Sequence, residues 1–339
     1  MPSCIRTDIP LAPHTTLGVG GPAQFFAEVD CVAVLEEVVI WAKREGHPIT
    51  LLGCGSNVLI SENGIRGLVI RYVASEIAYE ERADVVRVTA DAGVILDALI
   101  HELVLKDLWG LENLSAIPGH VGAVPVQNVG AYGVEAKEII ESVFVYDTSC
   151  GQTRTLTNTE CAFGYRDSLF KKAEGSKYII LSVTFTVVHM RAPRLTYKDL
   201  TEYFGTQTQP SLHEIREAII TIRGKKLPDW HEIGTAGSFF KNPIVPLAVY
   251  EALVQRYPEL PGFPQQDGDV KVSLGWILDR VCGLKGYREG KVGLYEKQAL
   301  VLVCEHGATA REVTDFVARI IALVYEKTSI VIEPEVRML

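Results

Sequence analysis

No C-x-x-C pair occurs anywhere in this chain, and its seven cysteines (4, 31, 54, 150, 161, 282 and 304) are scattered and odd in number. That argues against a disulfide framework and for reduced, mostly buried thiols in a cytosolic compartment. The eight histidines show no H-x-x-x-H or His/Cys ligand spacing, so no metal site is expected. No apolar run reaches the ~18 residues of a spanning helix. The stretch Met1 to Asp8 lacks the apolar core of a signal peptide. No membrane partner and a cytoplasmic location are therefore expected. An excess of basic charge is also missing. The net charge is −9, which argues against a nucleic-acid-binding surface. An anionic ligand has to be met by local cations, not by the field of the whole molecule. Internal repeats and low-complexity tracts are absent. What remains is 339 residues, 47% hydrophobic and 22% charged, enough for two or three domains with a sizeable core.

One stretch stands out: Ile117-Pro118-Gly119-His120-Val121-Gly122-Ala123-Val124-Pro125-Val126-Gln127-Asn128-Val129-Gly130-Ala131-Tyr132-Gly133. It holds four glycines and two prolines with almost no charge. Such a run is neither a regular helix nor a central strand. Its small side chains leave backbone N–H groups free to face a ligand, an arrangement that suits phosphates. An ordinary multi-turn loop has the same composition, and the stretch alone does not choose between the two.

The rest of the chain alternates strands and helices. Residues 1–16 read as irregular and Gln24–Val29 as a strand. Gly18, Gly20 and Ala23 fit G-x-G-x-x-A, but no strand precedes them and a strand follows, so a Rossmann site is rejected. A helix is expected over 31–46, then a buried strand Pro48–Leu52. Gly53-Cys54-Gly55-Ser56-Asn57 follows as a tight turn between strands; it has the look of a phosphate cradle, but a plain hairpin turn with a left-handed glycine reads the same way, and the turn alone favours the latter. Strands are expected over 84–93, 139–146, 153–156 and 178–188, and a helix over 94–107. Residues 193–210 read as a loop, and 212–224 as a helix closed by Gly224. Helices are expected over 246–256 and 273–281, and a buried strand over 299–304. Thr309 with Glu312 is a capping box opening a helix over roughly 310–326. Ile330–Ile332 reads as a last strand.

Five pieces taken together resemble one family, the UDP-N-acetylenolpyruvoylglucosamine reductases (UDP-N-acetylmuramate dehydrogenases) of bacterial cell-wall synthesis. They are Gly53–Asn57, Ile117–Gly133, Gly164-Tyr165-Arg166-Asp167-Ser168, Gly237-Ser238-Phe239-Phe240-Lys241-Asn242-Pro243 and Glu333-Pro334-Glu335-Val336-Arg337. They stand in the family's order and span nearly the whole chain. The loop with Leu195-Thr196-Tyr197 resembles the insertion of the longer subtype, whose tyrosine closes over substrate.

The resemblance implies an α+β protein of three domains. Two form a vanillyl-alcohol-oxidase-type, non-Rossmann FAD-binding unit (1–75 and 76–222). The third (223–329) takes the UDP-sugar, and 330–339 returns to the active site. The implied activity is NADPH-dependent reduction of UDP-N-acetylglucosamine enolpyruvate to UDP-N-acetylmuramate, a step of peptidoglycan synthesis and hence of cell shape and division, by a monomer. Ser238 resembles the family's proton donor. Arg166 and Glu335 resemble the pair that stabilises the enol-like intermediate, with Glu335 neutral or proton-sharing beside the substrate carboxylate. Glu333 competes for that role. Non-covalent FAD would lie against Gly53, Cys54, Gly55, Ser56 and Asn57, and against Gly119, Gly122, Ala123, Gln127, Asn128, Gly130, Ala131 and Tyr132. Tyr197, Arg223, Lys226, Asn242 and Gln298 match substrate-contacting positions. The chain ends soon after Arg337, without the family's usual short tail, and looser packing behind Glu335 is the expected result. Two other readings share parts of the pattern: an FAD-dependent alcohol or sugar oxidase of the same superfamily, and a non-catalytic UDP-sugar-binding module.

Overall fold

The computed structural model describes residues 1–265 and 267–339. The chain forms two compact units. The first is Met1–Ile9, Ala23–Cys54 and Arg66–Arg223; the second is Pro10–Pro22, Gly55–Ile65 and Gly224–Leu339. The mixture of helix and strand is the α+β class expected. The G-x-G at Gly18–Gly20 leads directly into strand Pro22–Val29, so no helix N-terminus follows it.

The first unit holds two sheets. One has four strands in the order Ile5–Pro10, Pro22–Val29, Ile65–Tyr72, Ile49–Leu51, the last two parallel. Helix α1 (Val32–Arg44) buries Leu35, Val38, Val39 and Ala42 in a core shared with Ala27, Val29, Leu68 and Ile70 of the strands. Those spacings put the apolar side chains on one helix face. The second sheet is antiparallel with five strands in the order Gln152–Thr157, Ile140–Asp147, Tyr178–Val187, Val86–Asp91, Ile77–Glu81. Helix α2 (Leu96–Leu105) puts Leu96, Leu99, Ile100 and Leu103 into the same core as Val88, Val143, Val183 and Phe185. Helices α3 (Lys198–Phe204) and α4 (Leu212–Lys226) make a smaller cluster from Leu200, Ile215, Ala218, Ile219 and Ile222.

Four expectations change here. Residues 5–10 are a strand, although the segment reads as irregular; as a sheet edge it buries only Ile5 outright, which leaves no periodic signal. Ile49–Leu51 is a short strand with Leu51 exposed, not a buried one. The expected loop 193–210 contains α3, which buries Leu200 alone. Also, α4 runs through Gly224 to Lys226.

The second unit has an antiparallel sheet in the order Gly234–Ser238, Val301–Cys304, Val292–Leu294, Arg288–Glu289. A three-stranded sheet, Ile244–Val245, Val270–Val272 and Gly262–Pro264, accompanies α5 (Leu247–Arg256). Helix α6 (Ala310–Thr328) carries the expected capping box: Thr309 Oγ1 accepts the Glu312 N–H, and Glu312 accepts the Thr309 N–H. Its face of Val313, Phe316, Val317, Ile320 and Val324 is buried. Ile330 and Ile332 are buried but form no ladder. The terminal strand is Arg337–Met338, parallel to Val58–Leu59. Alternating burial at 330–332 imitates a strand, but main-chain pairing begins only with the isolated Phe240–Pro334 bridge. Among the described residues no helix is long and apolar enough to cross a membrane, and no group of His, Cys, Asp or Glu is arranged to hold a metal ion.

Candidate active site

In the first unit the 117–133 stretch is anchored rather than loose. The N–H of Leu96, at the start of α2, donates to Gly119 O at 2.9 Å, and Val121 and Gly122 N–H donate to Val94 O and Ala92 O at 2.8 and 2.9 Å. A Cβ at Gly122 would sit 2.6 Å from the Ala92 methyl, so glycine is needed there for close approach. Ala123 and Val124 N–H close a short 3-10 turn onto His120 and Val121. The N–H groups of 121–124 are thus taken by the fold. Donors for an anion have to come from the rest of the stretch.

Asn128 is fully buried, with φ +46°. Its Nδ2 donates to Glu135 Oε2 and Gly164 O, both at 2.9 Å, and its Oδ1 accepts Lys137 N–H at 2.9 Å. Its side chain shapes the loop, so any cofactor contact falls to its backbone. Ser168 Oγ, also buried, donates to Val126 O at 2.6 Å. That serine, inside a motif already singled out, clamps the loop, a task that no local pattern announces.

Arg166 sits in a tight turn. Gly164 and Asp167 exchange main-chain hydrogen bonds of 2.9 and 3.3 Å, leaving Tyr165 and Arg166 at its centre. Arg166 has φ +53°, at a turn position where glycine or asparagine is usual. An arginine held there costs about 1 kcal/mol or more in backbone strain. Its Nη2 donates to Gly130 O at 2.9 Å, so the guanidinium lies directly on the glycine-rich stretch. A Cβ at Gly130 would come within 3.2 Å of Nη1.

Tyr132, Tyr197 and Arg223 come together in the same unit. The Tyr132 and Tyr197 rings meet edge-on, with centroids 5.2 Å apart. The Tyr132 hydroxyl lies close enough to the Arg223 guanidinium to favour its charged form, and Arg223 Nε donates to Ala116 O at 3.2 Å. Burial lowers the Arg223 pKa, with Tyr132 and Asp97 pulling the other way. Burial raises both tyrosines above their ordinary value. Asn113 Nδ2 ties the two segments, donating to Tyr132 O at 2.8 Å and Arg194 O at 3.1 Å.

Of the 53–57 turn, Gly53 is exposed with open space around it; a Cβ there would meet only His120 Nδ1, at 3.9 Å. Burial, and then the Arg71 charge, lower the His120 pKa, so the ring facing Gly53 is neutral at pH 7. Gly55 belongs to the second unit. It has φ +67°, and a Cβ would lie 2.2 Å from His14 O, so no other residue fits. An open glycine, a glycine-rich backbone and cations close to it suit a dinucleotide such as FAD. By contrast, an open cavity of about 470 Å³ elsewhere in the first unit is lined by Asp30, Glu76 and Asp91 and by none of these residues; its charge opposes a diphosphate.

In the second unit a bulge presents Ser238. Thr235 pairs with Val303 and Ser238 with Val301, so three steps on one strand match two on the other. Gly237, at φ +72°, supplies the left-handed residue such a bulge needs. Thr235 Oγ1 donates to Leu302 O and accepts the Gly237 N–H, fixing the distortion. Ser238 emerges exposed, immediately before the fully buried Phe239 and Phe240.

The C-terminal segment lies alongside. Glu335 N–H donates to Phe239 O at 2.8 Å and Lys241 N–H to Glu333 O at 3.0 Å, with Phe240 and Pro334 bridged between them. Glu335 is therefore bonded to Phe239, the residue after Ser238, whereas Glu333 is largely exposed and ion-paired to Lys241 at 3.3 Å. Asn57 Nδ2 donates to Glu335 O at 3.5 Å, and Asn57 O accepts Arg337 N–H at 3.1 Å. Leu339 is held on both sides, by its N–H to Leu59 O and its O from Ser61 N–H. The segment behind Glu335 is therefore tied down, contrary to the expected looseness.

Asn242 and Gln298 bracket one helical turn. Asn242 Oδ1 accepts the Leu274 N–H at 3.0 Å, and Gln298 Oε1 lies 3.1 Å from where a Cβ at Gly275 would be. Lys226 is the half-buried last residue of α4.

Two family models match the chain: an FAD binding domain over residues 23–157, and the UDP-N-acetylenolpyruvoylglucosamine reductase C-terminal domain over 229–339. The UDP-N-acetylenolpyruvoylglucosamine reductase of Ralstonia nicotianae is 40% identical over 332 residues, covering 96% of each chain. That of Chromobacterium violaceum is 38% identical over 334 residues, covering 97% of each. The crystal structure of UDP-N-acetylenolpyruvylglucosamine reductase (MurB) from Thermus caldophilus aligns with a TM-score of 0.69 at 25% identity, over 98% of this chain and 99% of that one.

Proposed function

Because the chain belongs to the family of UDP-N-acetylenolpyruvoylglucosamine reductases, oxidoreductases of peptidoglycan precursor synthesis that use FAD and NADPH, we propose that it reduces UDP-N-acetylglucosamine enolpyruvate to UDP-N-acetylmuramate at the expense of NADPH. What supports this reading is that, in the second unit, an exposed serine at a glycine bulge is followed by Phe239, whose carbonyl holds the Glu335 main chain.

FAD, when bound, supplies the hydride that an alkene cannot accept from a side chain. The chain's own residues do the rest. Arg166 offers a planar fork to the enolpyruvyl carboxylate, where negative charge builds as the double bond is reduced. Glu335, close to that carboxylate, favours sharing a proton over standing ionised against it. Ser238 holds the proton delivered to the adjacent carbon. Arg223 and Lys226 meet the diphosphate, Tyr197 covers the substrate, and Asn242 and Gln298 orient it. Gly53–Asn57 and the backbone of Gly119–Tyr132 hold the cofactor without a covalent bond. The division into 1–75, 76–222 and 223–329, with 330–339 returning to the site, belongs to the same proposal.

The purified protein is expected to be yellow and to lose its colour to the filtrate on acid denaturation. Reduced anaerobically with NADPH, it reoxidises when UDP-N-acetylglucosamine enolpyruvate is added. Reoxidation by oxygen alone at a comparable rate would identify an oxidase instead, and a colourless protein a UDP-sugar-binding module.

A further inference from the structure

Asp97 lies where three parts of the first unit meet. It stands in the first turn of α2. Its carboxylate takes both arms of the Arg216 fork, Nη1 to Oδ1 at 2.6 Å and Nη2 to Oδ2 at 2.8 Å. Oδ1 also accepts the Ala116 N–H at 2.6 Å. The Arg216 side chain is only 9% exposed. Ala116 has φ +59° and is the last residue before the glycine-rich stretch. Its carbonyl accepts Arg223 Nε. Arg216 and Arg223 lie two turns apart on α4, so both point to the same side.

A buried ion pair alone is weak evidence of anything but a local bond. This one has a third partner. The oxygen that takes Arg216 also fixes a strained alanine, and that alanine's carbonyl aims Arg223. Helix α2, helix α4 and the entry to the glycine-rich stretch are joined through one carboxylate. We infer that Asp97 is a positioning residue: held by Arg216, it pins Ala116 so that Arg223 keeps the geometry the UDP-linked substrate requires. The inference rests on the reading of Arg223 as a substrate contact.

The test compares Asp97→Asn, the double variant Asp97→Leu/Arg216→Met, and Arg223→Ala, each as FAD-loaded enzyme. Asp97→Asn is expected to raise KM for UDP-N-acetylglucosamine enolpyruvate by roughly tenfold, the scale of one charged hydrogen bond. Flavin reduction by NADPH should stay within about twofold, because substrate geometry is not used there. The double variant replaces the pair by apolar groups of similar volume. It should recover the thermal midpoint while KM stays raised. A native KM in the double variant, or in Asp97→Asn beside a defective Arg223→Ala, overturns the positioning role and leaves Arg223's contact standing. A native KM in Arg223→Ala removes that contact, and the positioning role with it.

Discussion

The main-chain N–H of Glu335 donates to the carbonyl of Phe239 at 2.8 Å, which lays the C-terminal segment against the residue after Ser238. The far end of the chain is thereby bridged to the segment that follows the bulge exposing the serine. Glu333, two residues earlier, faces outward to Lys241. The ion pair to Lys241 is what separates Glu333 from Glu335.

Glu335→Gln should therefore slow flavin reoxidation by substrate while sparing flavin reduction by NADPH. A loss of about 10²–10³ is expected for one preorganised group at a site of developing charge. Glu333→Gln should change both rates less than about twofold. Anaerobic stopped-flow traces of the two half-reactions check this; equal loss in both would remove Glu335 from the chemistry.

Arg166 is strained and so exposes a trade of stability against function. Asparagine tolerates its φ of +53° far better. Arg166→Asn is expected to fold at least as stably as the native chain, with a gain of up to about 1 kcal/mol offset in part by the lost bond to Gly130 O. Its reoxidation by substrate should fall by at least about 10². Urea unfolding and stopped-flow kinetics on the same preparation test both halves.

Gly237 has nothing within 4 Å of an added Cβ, yet its φ is +72°. Gly237→Ala then meets no clash, only backbone strain. It should cost about 1–2 kcal/mol of stability and also lower kcat, because the bulge that aims Ser238 relaxes. A stability loss with unchanged kcat would show that the bulge does not set the serine.

Asp147 supplies a pH test of the first unit. A bond from Ser149 Oγ holds its carboxyl down to about 2, against an ordinary 3.8, with burial opposing and Lys177 assisting at 3.0 Å. A depressed carboxyl contributes stability above the unfolded pKa and loses it as pH falls through the folded one. Thermal midpoints should thus drop between about pH 4 and pH 2. Asp147→Asn should start lower at pH 7 and converge with the native chain near pH 2; parallel curves would exclude this group.

Much of this was legible locally. The capping box at Thr309 and Glu312 is a four-residue signal, and the structure keeps it. The apolar spacing of α1, α2 and α4 named their buried faces because packing and period agree there. Pairings across long separations were not legible. Asp97 and Arg216 are 119 positions apart, and nothing in either neighbourhood points to the other. Ile5–Pro10 and α3 bury too few side chains to leave a pattern. At the terminus the run Ile330-Val331-Ile332 reads as a strand, but ladders need a partner as well as a suitable sequence. The glycine-rich stretch showed its composition but not that four consecutive N–H groups were already committed.

The most direct test is the reoxidation rate of pre-reduced Ser238→Ala enzyme on mixing with UDP-N-acetylglucosamine enolpyruvate, measured beside its rate of flavin reduction by NADPH. A proton donor predicts a fall of about 10²–10⁴ in the first and a change within about twofold in the second. Reoxidation at the native rate, or equal losses in both steps, would contradict the role given to Ser238.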